Sequence, residues 1–259
     1  MTVTTSTIDE TIVVTIDRPP VNALDLNTIL ALEQAFSTIA REARKNGVVL
    51  TGGGQVFSAG VDTRAFASYG REQRHEMVRG ITRMVARLLA IPAPVVAAIN
   101  GHALGGGFVL MLACDYRIAA DIDTAKLGMT EAQAGIPFPA GPLEVIRHEL
   151  APELLRRLTL TSAVLNPREL LEAQILNAIC PTEELRLSTI SLAKSLATSC
   201  RQRDPTIAIP GQTSRYDDHE DQSDVTRVSV ANTLALRNAV GPGIPTLTRV
   251  GQRAAENPF

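Results

Sequence analysis

The spacing of hydrophobic positions changes along the chain, and each change marks an element. A β-branched run at Ile12, Val13, Val14, Thr15 and Ile16 predicts a strand from Thr11 to Asp17, closed by Arg18-Pro19-Pro20. Asp25 holds the position of an N-cap. Apolar residues at Ile29, Leu32, Phe36, Ile39 and Ala43 then follow at helical spacing and predict a helix to about Lys45. Gly47 stops it, and Val48-Val49-Leu50 predicts a short buried strand. Met77, Ile81, Met84, Val85 and Leu88 predict a second helix, from about Arg71 to Leu89. Residues 94–99 are apolar throughout, as a strand covered on both faces would be. A glycine-bearing loop from Asn100 to Gly107 leads from this strand into an apolar helix, Phe108 to about Cys114. Further strands are predicted at Tyr116–Ala119 and from Lys126-Leu127 onward.

Strand, helix and strand with glycine-rich loops occur twice in the first half, which predicts an α/β core wound as a spiral of similar turns. From Pro142 to Thr198 the pattern becomes mainly helical, with candidates at Leu143–Leu150, Pro152–Leu160, Pro167–Gln174 and Pro181–Leu196. The character changes again from about Ser199. The stretch from Tyr216 to Asp224 is acidic and polar, Gly241 to Pro245 breaks helix, and periodicity is poor except around Val225 to Val240. The expected division is a core at 1–198, with its C-terminal helices from about 142, and an atypical segment at 199–259.

Composition narrows the function classes. Hydrophobic residues make up 45% of the 259, enough for a core that needs no disulfide or metal. The three cysteines, Cys114, Cys180 and Cys200, are odd in number and form no CxxC pair, which argues against a disulfide framework and a structural zinc site. A net charge of −2 and 3% aromatic residues argue against nucleic acid and against an anionic membrane surface. The least polar stretch, Leu88 to Cys114, contains Pro92, Pro94, Asn100, His102 and three consecutive glycines, so it is not a membrane span. The first residues lack the pattern of a signal peptide, and a cytoplasmic protein is expected.

Two segments carry candidate chemistry. Ser58-Ala59-Gly60-Val61-Asp62 and Leu104-Gly105-Gly106-Gly107 are both strand-to-helix turns of small residues. Such turns leave backbone N–H groups unpaired at the start of a helix. Two of them aimed at one point make an oxyanion hole.

The chain resembles the crotonase superfamily of enoyl-CoA hydratases and isomerases. The resemblance is carried by Phe57-Ser58-Ala59-Gly60-Val61-Asp62, by the run from Pro94 through Asn100-Gly101-His102 to Gly105-Gly106-Gly107, and by Cys114-Asp115-Tyr116-Arg117-Ile118-Ala119-Ala120-Asp121. Arg18-Pro19-Pro20-Val21-Asn22-Ala23-Leu24 fits the same family's first strand exit, and the likeness extends from about residue 10 to about 195. It implies a crotonase-like spiral of strand-strand-helix repeats, with C-terminal helices that assemble a homotrimer or a dimer of trimers. It implies an acyl-CoA thioester substrate, with coenzyme A as part of the substrate and neither metal nor redox cofactor. The thioester oxygen would sit between the amides of Val61 and Gly106, and the reaction would pass through an enolate. Coenzyme A would lie along Arg18, Val21 and Ala23 on one side, and Ala59, Gly60, Asp62 and Gly105 on the other.

Hydratases of this family use two glutamates. Here the first position is Val109 and the second is Glu131, so one carboxylate remains. One carboxylate suits a proton shuttle, which moves a double bond from the 3 to the 2 position. The segment from Asp121 to Gly128-Met129-Thr130-Glu131-Ala132-Gln133-Ala134-Gly135-Ile136 is similar to that of mitochondrial-type 3,2-trans-enoyl-CoA isomerases. The expected function is therefore isomerisation of 3-enoyl-CoA to 2-trans-enoyl-CoA. The alternatives are hydration or another acyl-CoA reaction, with Glu72 or Glu76 as a second carboxylate, and a non-catalytic CoA-binding protein. Ser58, His102 and Asp115 also suggest a hydrolase triad, but His102 is read as structural or pocket-lining, and Asp62 as the cap of a following helix. Gln174 stands where the family commonly has glycine.

Overall fold

The computed structural model describes residues 2–42, 46–135 and 138–202 of the chain. Two antiparallel strands come first, Val3–Ile8 (β1) and Thr11–Ile16 (β2), in register from Val3 opposite Ile16 to Ile8 opposite Thr11. The first of these is not announced by the hydropathy pattern. Its middle four residues are exposed, so it has no apolar face to detect. Asp25 caps the helix Leu26–Glu42 (α1) by accepting from the Thr28 amide at 2.8 Å. The face that α1 buries, with Ile29, Leu32, Phe36 and Ile39, is the one the spacing predicts. Its expected last turn, to Lys45, lies outside the described residues.

Three turns of a spiral follow, each giving one strand to each of two sheets. Val48–Gly52 (β3) and Val56–Ser58 (β4) make the first, followed by Thr63–Ser68 (α2) and Arg71–Leu89 (α3). Val95–Ile99 (β5) and His102–Leu104 (β6) make the second, followed by Gly106–Leu112 (α4). Tyr116–Ala120 (β7) and Leu127–Gly128 (β8) make the third, followed by Glu131–Ala134 (α5). Then come Ala140–Glu149 (α6), Pro152–Thr161 (α7), Val164–Leu165 (β9), Pro167–Glu172 (α8), Ala178–Cys180 (β10), a single turn of tighter helix at Thr182–Glu184, and Leu185–Gln202 (α9). The larger sheet has the order β1-β2-β3-β5-β7-β10 and the smaller β4-β6-β8-β9. Pairing along the spiral is parallel, with Val48 beside Val95, Val96 beside Tyr116, and Ala103 beside Leu127. The spiral of strand-strand-helix turns is therefore present.

Packing follows from these registers. β5 is buried at every position, because α3 and α4 cover one face of the large sheet and α9 the other. Phe36, Phe57 and Phe108 are fully buried in the main core. Burial of each such side chain contributes roughly 1.5–3 kcal/mol. No helix among the described residues is long and apolar enough to cross a membrane.

The C-terminal part is less purely helical than its pattern predicts. β9 and β10 are each too short to show a period, yet both add to sheets, β10 parallel to β7 with Ile118 beside Ala178. The helix α9 runs to Gln202; the atypical segment beyond it, with its acidic run from Tyr216 and the Gly241–Pro245 stretch, lies outside the described residues. Gln174, where glycine was expected, follows α8 at φ +59°. A side chain in that left-handed conformation costs about 1 kcal/mol. Gln174→Gly is accordingly expected to raise stability by up to about 1 kcal/mol, measured as a shift of the urea midpoint at unchanged slope.

Candidate active site

The two glycine turns meet backbone to backbone. In the first, β4 ends at Ser58, the chain passes through Ala59, Gly60 and Val61, and Asp62 caps α2 through Ala65 N at 2.9 Å. In the second, β6 ends at Leu104, Gly105 turns with φ +50°, and Gly106 opens α4. Gly60 has φ +79°, and a methyl group on it would lie 2.5 Å from the Leu104 carbonyl oxygen and 2.8 Å from Gly106 N. The turns can approach this closely only because neither has a side chain there.

This contact brings the two expected donors together. Leu24 N donates to Gly60 O at 2.8 Å, and Asp62 N to Leu24 O at 3.0 Å. Residues 60 and 62 thus face Leu24. In an extended chain the intervening amide faces the other way, so Val61 N–H turns toward the second glycine turn. A methyl on Gly106 would lie 3.7 Å from Val61 N. Gly106 is the first residue of α4, so its amide has no partner within the helix. Among the described residues neither amide donates to a protein acceptor.

Glu131 stands beside this pair. The strand β8 holds Gly105 through Gly105 N to Gly128 O at 2.9 Å, and α5 begins three residues later with Glu131. A methyl on Gly105 would lie 3.1 Å from Glu131 Oε1 and 3.3 Å from Thr130 Oγ1. Oε2 is buried and has no hydrogen-bond partner among the described residues. Burial raises the carboxyl above the usual carboxylate range, against a smaller opposite pull from the amides of Glu131 and Thr130. Val109, the alternative acid-base position, is buried on α4, its amide donating to Gly105 O at 3.0 Å.

The residues expected along coenzyme A are brought to the same edge, but Arg18 is already engaged. Its guanidinium lies 2.8 Å from Asp62 Oδ2 and 3.3 Å from Asp25 Oδ2, and donates to Ala23 O at 3.2 Å. The Ala65 amide, aided by Arg18, holds the Asp62 carboxyl below its ordinary value. Val21 is exposed, and its carbonyl accepts from Ala59 N at 3.0 Å. Ala23 and Ala59 are half-buried, and Gly60 and Gly105 buried. Arg18 therefore laces the loop 18–25 to the turn 60–62.

The remaining candidates are spent elsewhere. The hydroxyl of buried Ser58 donates to Asn22 O at 2.8 Å and accepts from Gly60 N at 3.1 Å. His102 Nδ1 accepts from Lys126 N at 2.9 Å, and Asp115 from Val95 N at 2.7 Å, so the three do not form a triad. Glu76 lies 2.6 Å from Nη2 of Arg83, whose Nε pairs with Glu33 on α1, and Glu72 is exposed.

One residue the sequence reading passed over is central to the scaffold. Asn22, buried at φ +53°, donates from Nδ2 to Gly53 O at 2.9 Å and Val56 O at 2.7 Å, and accepts from Arg18 N at 2.9 Å. Its only sequence signal is a residue tolerant of left-handed backbone, placed after a Pro-Pro pair.

With this geometry in place, comparison with known proteins is direct. A family model described as enoyl-CoA hydratase/isomerase matches residues 7–207. The chain is 32% identical to the carnitinyl-CoA dehydratase of Salmonella typhi over 187 residues, 72% of this chain and 70% of that one. Among solved structures, it resembles the enoyl-CoA hydratase of Bacillus anthracis with a TM-score of 0.71 and 30% identity, covering 76% of this chain and 77% of that one. It resembles Pseudomonas aeruginosa DspI with a TM-score of 0.70 and 28% identity, covering 76% and 74%.

Proposed function

The chain belongs to the enoyl-CoA hydratase/isomerase family, and on that premise we propose that it isomerises 3-enoyl-CoA to 2-trans-enoyl-CoA, with Glu131 as the only acid-base residue. The observation that supports this most is the single carboxylate, among the described residues, set against Gly105 with a buried Oε2, and valine at the position where a second would stand. The thioester oxygen lies between the amides of Val61 and Gly106. As Glu131 removes a proton from C2, electrons move onto that oxygen, and the two fixed donors stabilise the enolate without reorganising. The double bond then shifts as Glu131 returns the same proton to C4. Water takes no part, so no second group is needed to activate it.

Hydration is the second reading, favoured by the names of the relatives, a dehydratase and a hydratase. It requires a water-activating partner for Glu131, and neither Glu72 nor ion-paired Glu76 is positioned as one here. The test is to incubate the purified protein with a 3-enoyl-CoA and follow the conjugated product by absorbance, with hydration of a 2-enoyl-CoA measured in parallel. Isomerisation well above hydration is expected. Hydration at a comparable rate would overturn the single-carboxylate reading. Inactivity on both, with acyl-CoA still bound, would leave a non-catalytic CoA-binding protein.

A further inference from the structure

We infer that the preferred acyl group ends in a second carboxylate, held in a cationic cavity between α2 and α3. This rests on the acyl-CoA reading above and adds the chemistry of the far end of the substrate. A cavity of about 510 Å³, open to solvent along its exposed α3 side, lies there, lined by Phe66, Tyr69, Arg71, Arg74, His75 and Val78. Its size falls in the range of small-molecule sites, about 300–1,000 Å³. The four α3 residues recur at helical spacing and so share one face. Phe66 and Tyr69 pack against the core and give the cavity an apolar wall suited to a hydrocarbon chain.

The charge of the lining is one-sided. It contains no carboxylate. Arg74 is fixed by donating to Phe66 O at 3.2 Å and Ala67 O at 2.8 Å, and it sits 5.6 Å from the centroid of the Phe66 ring. All these partners are neutral, so its charge is not cancelled. The side chains of Arg71 and His75 make no hydrogen bond or ion pair among the described residues. The nearby acids of α3 lie outside the lining, Glu72 exposed and Glu76 held by Arg83.

The cavity begins one short helix away from Val61. The helix α2 starts two residues after Val61, and Phe66 lies in its first turns. A chain whose thioester oxygen rests on Val61 and Gly106 can run along α2 to reach it. A terminal carboxylate there receives charge-assisted bonds from guanidinium. A methyl terminus in its place leaves those cations without an anion.

Adipoyl-CoA and hexanoyl-CoA test this, because they match in carbon number and neither has a double bond to react. Dissociation constants are measured by calorimetry for the full-length protein and for the exposed-site double variant Arg71→Gln, His75→Gln, with free coenzyme A as a third ligand. Adipoyl-CoA is expected to bind about 10-fold more tightly than hexanoyl-CoA, the scale of one bond to a charged group. In the double variant, which keeps Arg74, that ratio should fall by at least about half. Equal affinities in the wild type, or tighter hexanoyl-CoA, would overturn the inference while leaving the isomerase reading intact. If the variant weakened all three ligands equally, the cations would be holding coenzyme A phosphates, and the inference would fail. Binding of neither acyl-CoA would remove the acyl-CoA reading and this one together.

Discussion

Glu131→Gln is expected to lower the turnover of a 3-enoyl-CoA by about 10²–10⁴-fold, the usual contribution of a positioned general base. The effect belongs at the upper end, because among the described residues no second carboxylate adjoins Gly105 to take over the proton. Glutamine keeps the shape and one carbonyl oxygen but cannot carry the proton, so the dissociation constant for acyl-CoA should change only a few-fold. Rapid-mixing absorbance gives the first quantity and calorimetry the second. Unchanged turnover would remove Glu131 from the chemistry.

The same residue sets the pH dependence. Glu131 must start as the carboxylate, and burial raises its pKa. Rate should therefore fall with acidification at a pH above that of an ordinary glutamate. Stability runs the opposite way. A carboxyl whose folded pKa is raised contributes stability below its unfolded pKa, and that stability is lost as pH rises through the folded value. Above its folded pKa the wild type holds a charge whose Oε2 is buried and has no partner among the described residues. Glu131→Gln should then melt at a higher temperature than the wild type on the alkaline side of that pKa, with the difference shrinking in acid.

Gly60→Ala is expected to lower turnover by at least about 10²-fold, the scale of one lost oxyanion donor, and to lower the melting temperature. Its methyl would fall 2.5 Å from Leu104 O and 2.8 Å from Gly106 N, both backbone atoms that cannot rotate aside. The two turns must separate, and the spacing between Val61 N and Gly106 N goes with it. Gly54→Ala is the control. Gly54 also has a positive φ, +68°, but nothing lies within 4 Å of a methyl there. It should show the conformational strain without the activity loss. Equal activity in the two variants would mean that the 60–106 contact does not shape the site.

Much of this was legible in the sequence, for physical reasons that differ between residues. The α1 and α3 faces were readable because each buries one stripe against a sheet. The glycine turns were readable because close backbone contact tolerates no other residue. Arg18 does lie beside the turn 60–62, but its engagement there was not foreseen. One partner, Asp62, is 44 residues away in sequence, and a guanidinium suits a phosphate and a carboxylate equally. The strand β1 escaped because its exposed residues carry no pattern, and Asn22 because its role is to satisfy backbone carbonyls far along the chain. The cationic face of α3 escaped for a different reason. Arg71, Arg74 and His75 look like the solvated side of any amphipathic helix until α2 is folded across from them.

The donors proposed at positions 61 and 106 are main-chain amides, whereas the proton carrier proposed at 131 is a side chain. Point mutation acts on the two very unevenly. Every residue type except proline presents the same N–H, so replacements at 61 and 106 leave the hydrogen-bonding group itself in place. A single codon change at 109 or 131 adds or deletes an acid or base outright. On the proposed mechanism, a change of reaction on this spiral would need only a side-chain substitution, while the amides that stabilise the enolate stay in place.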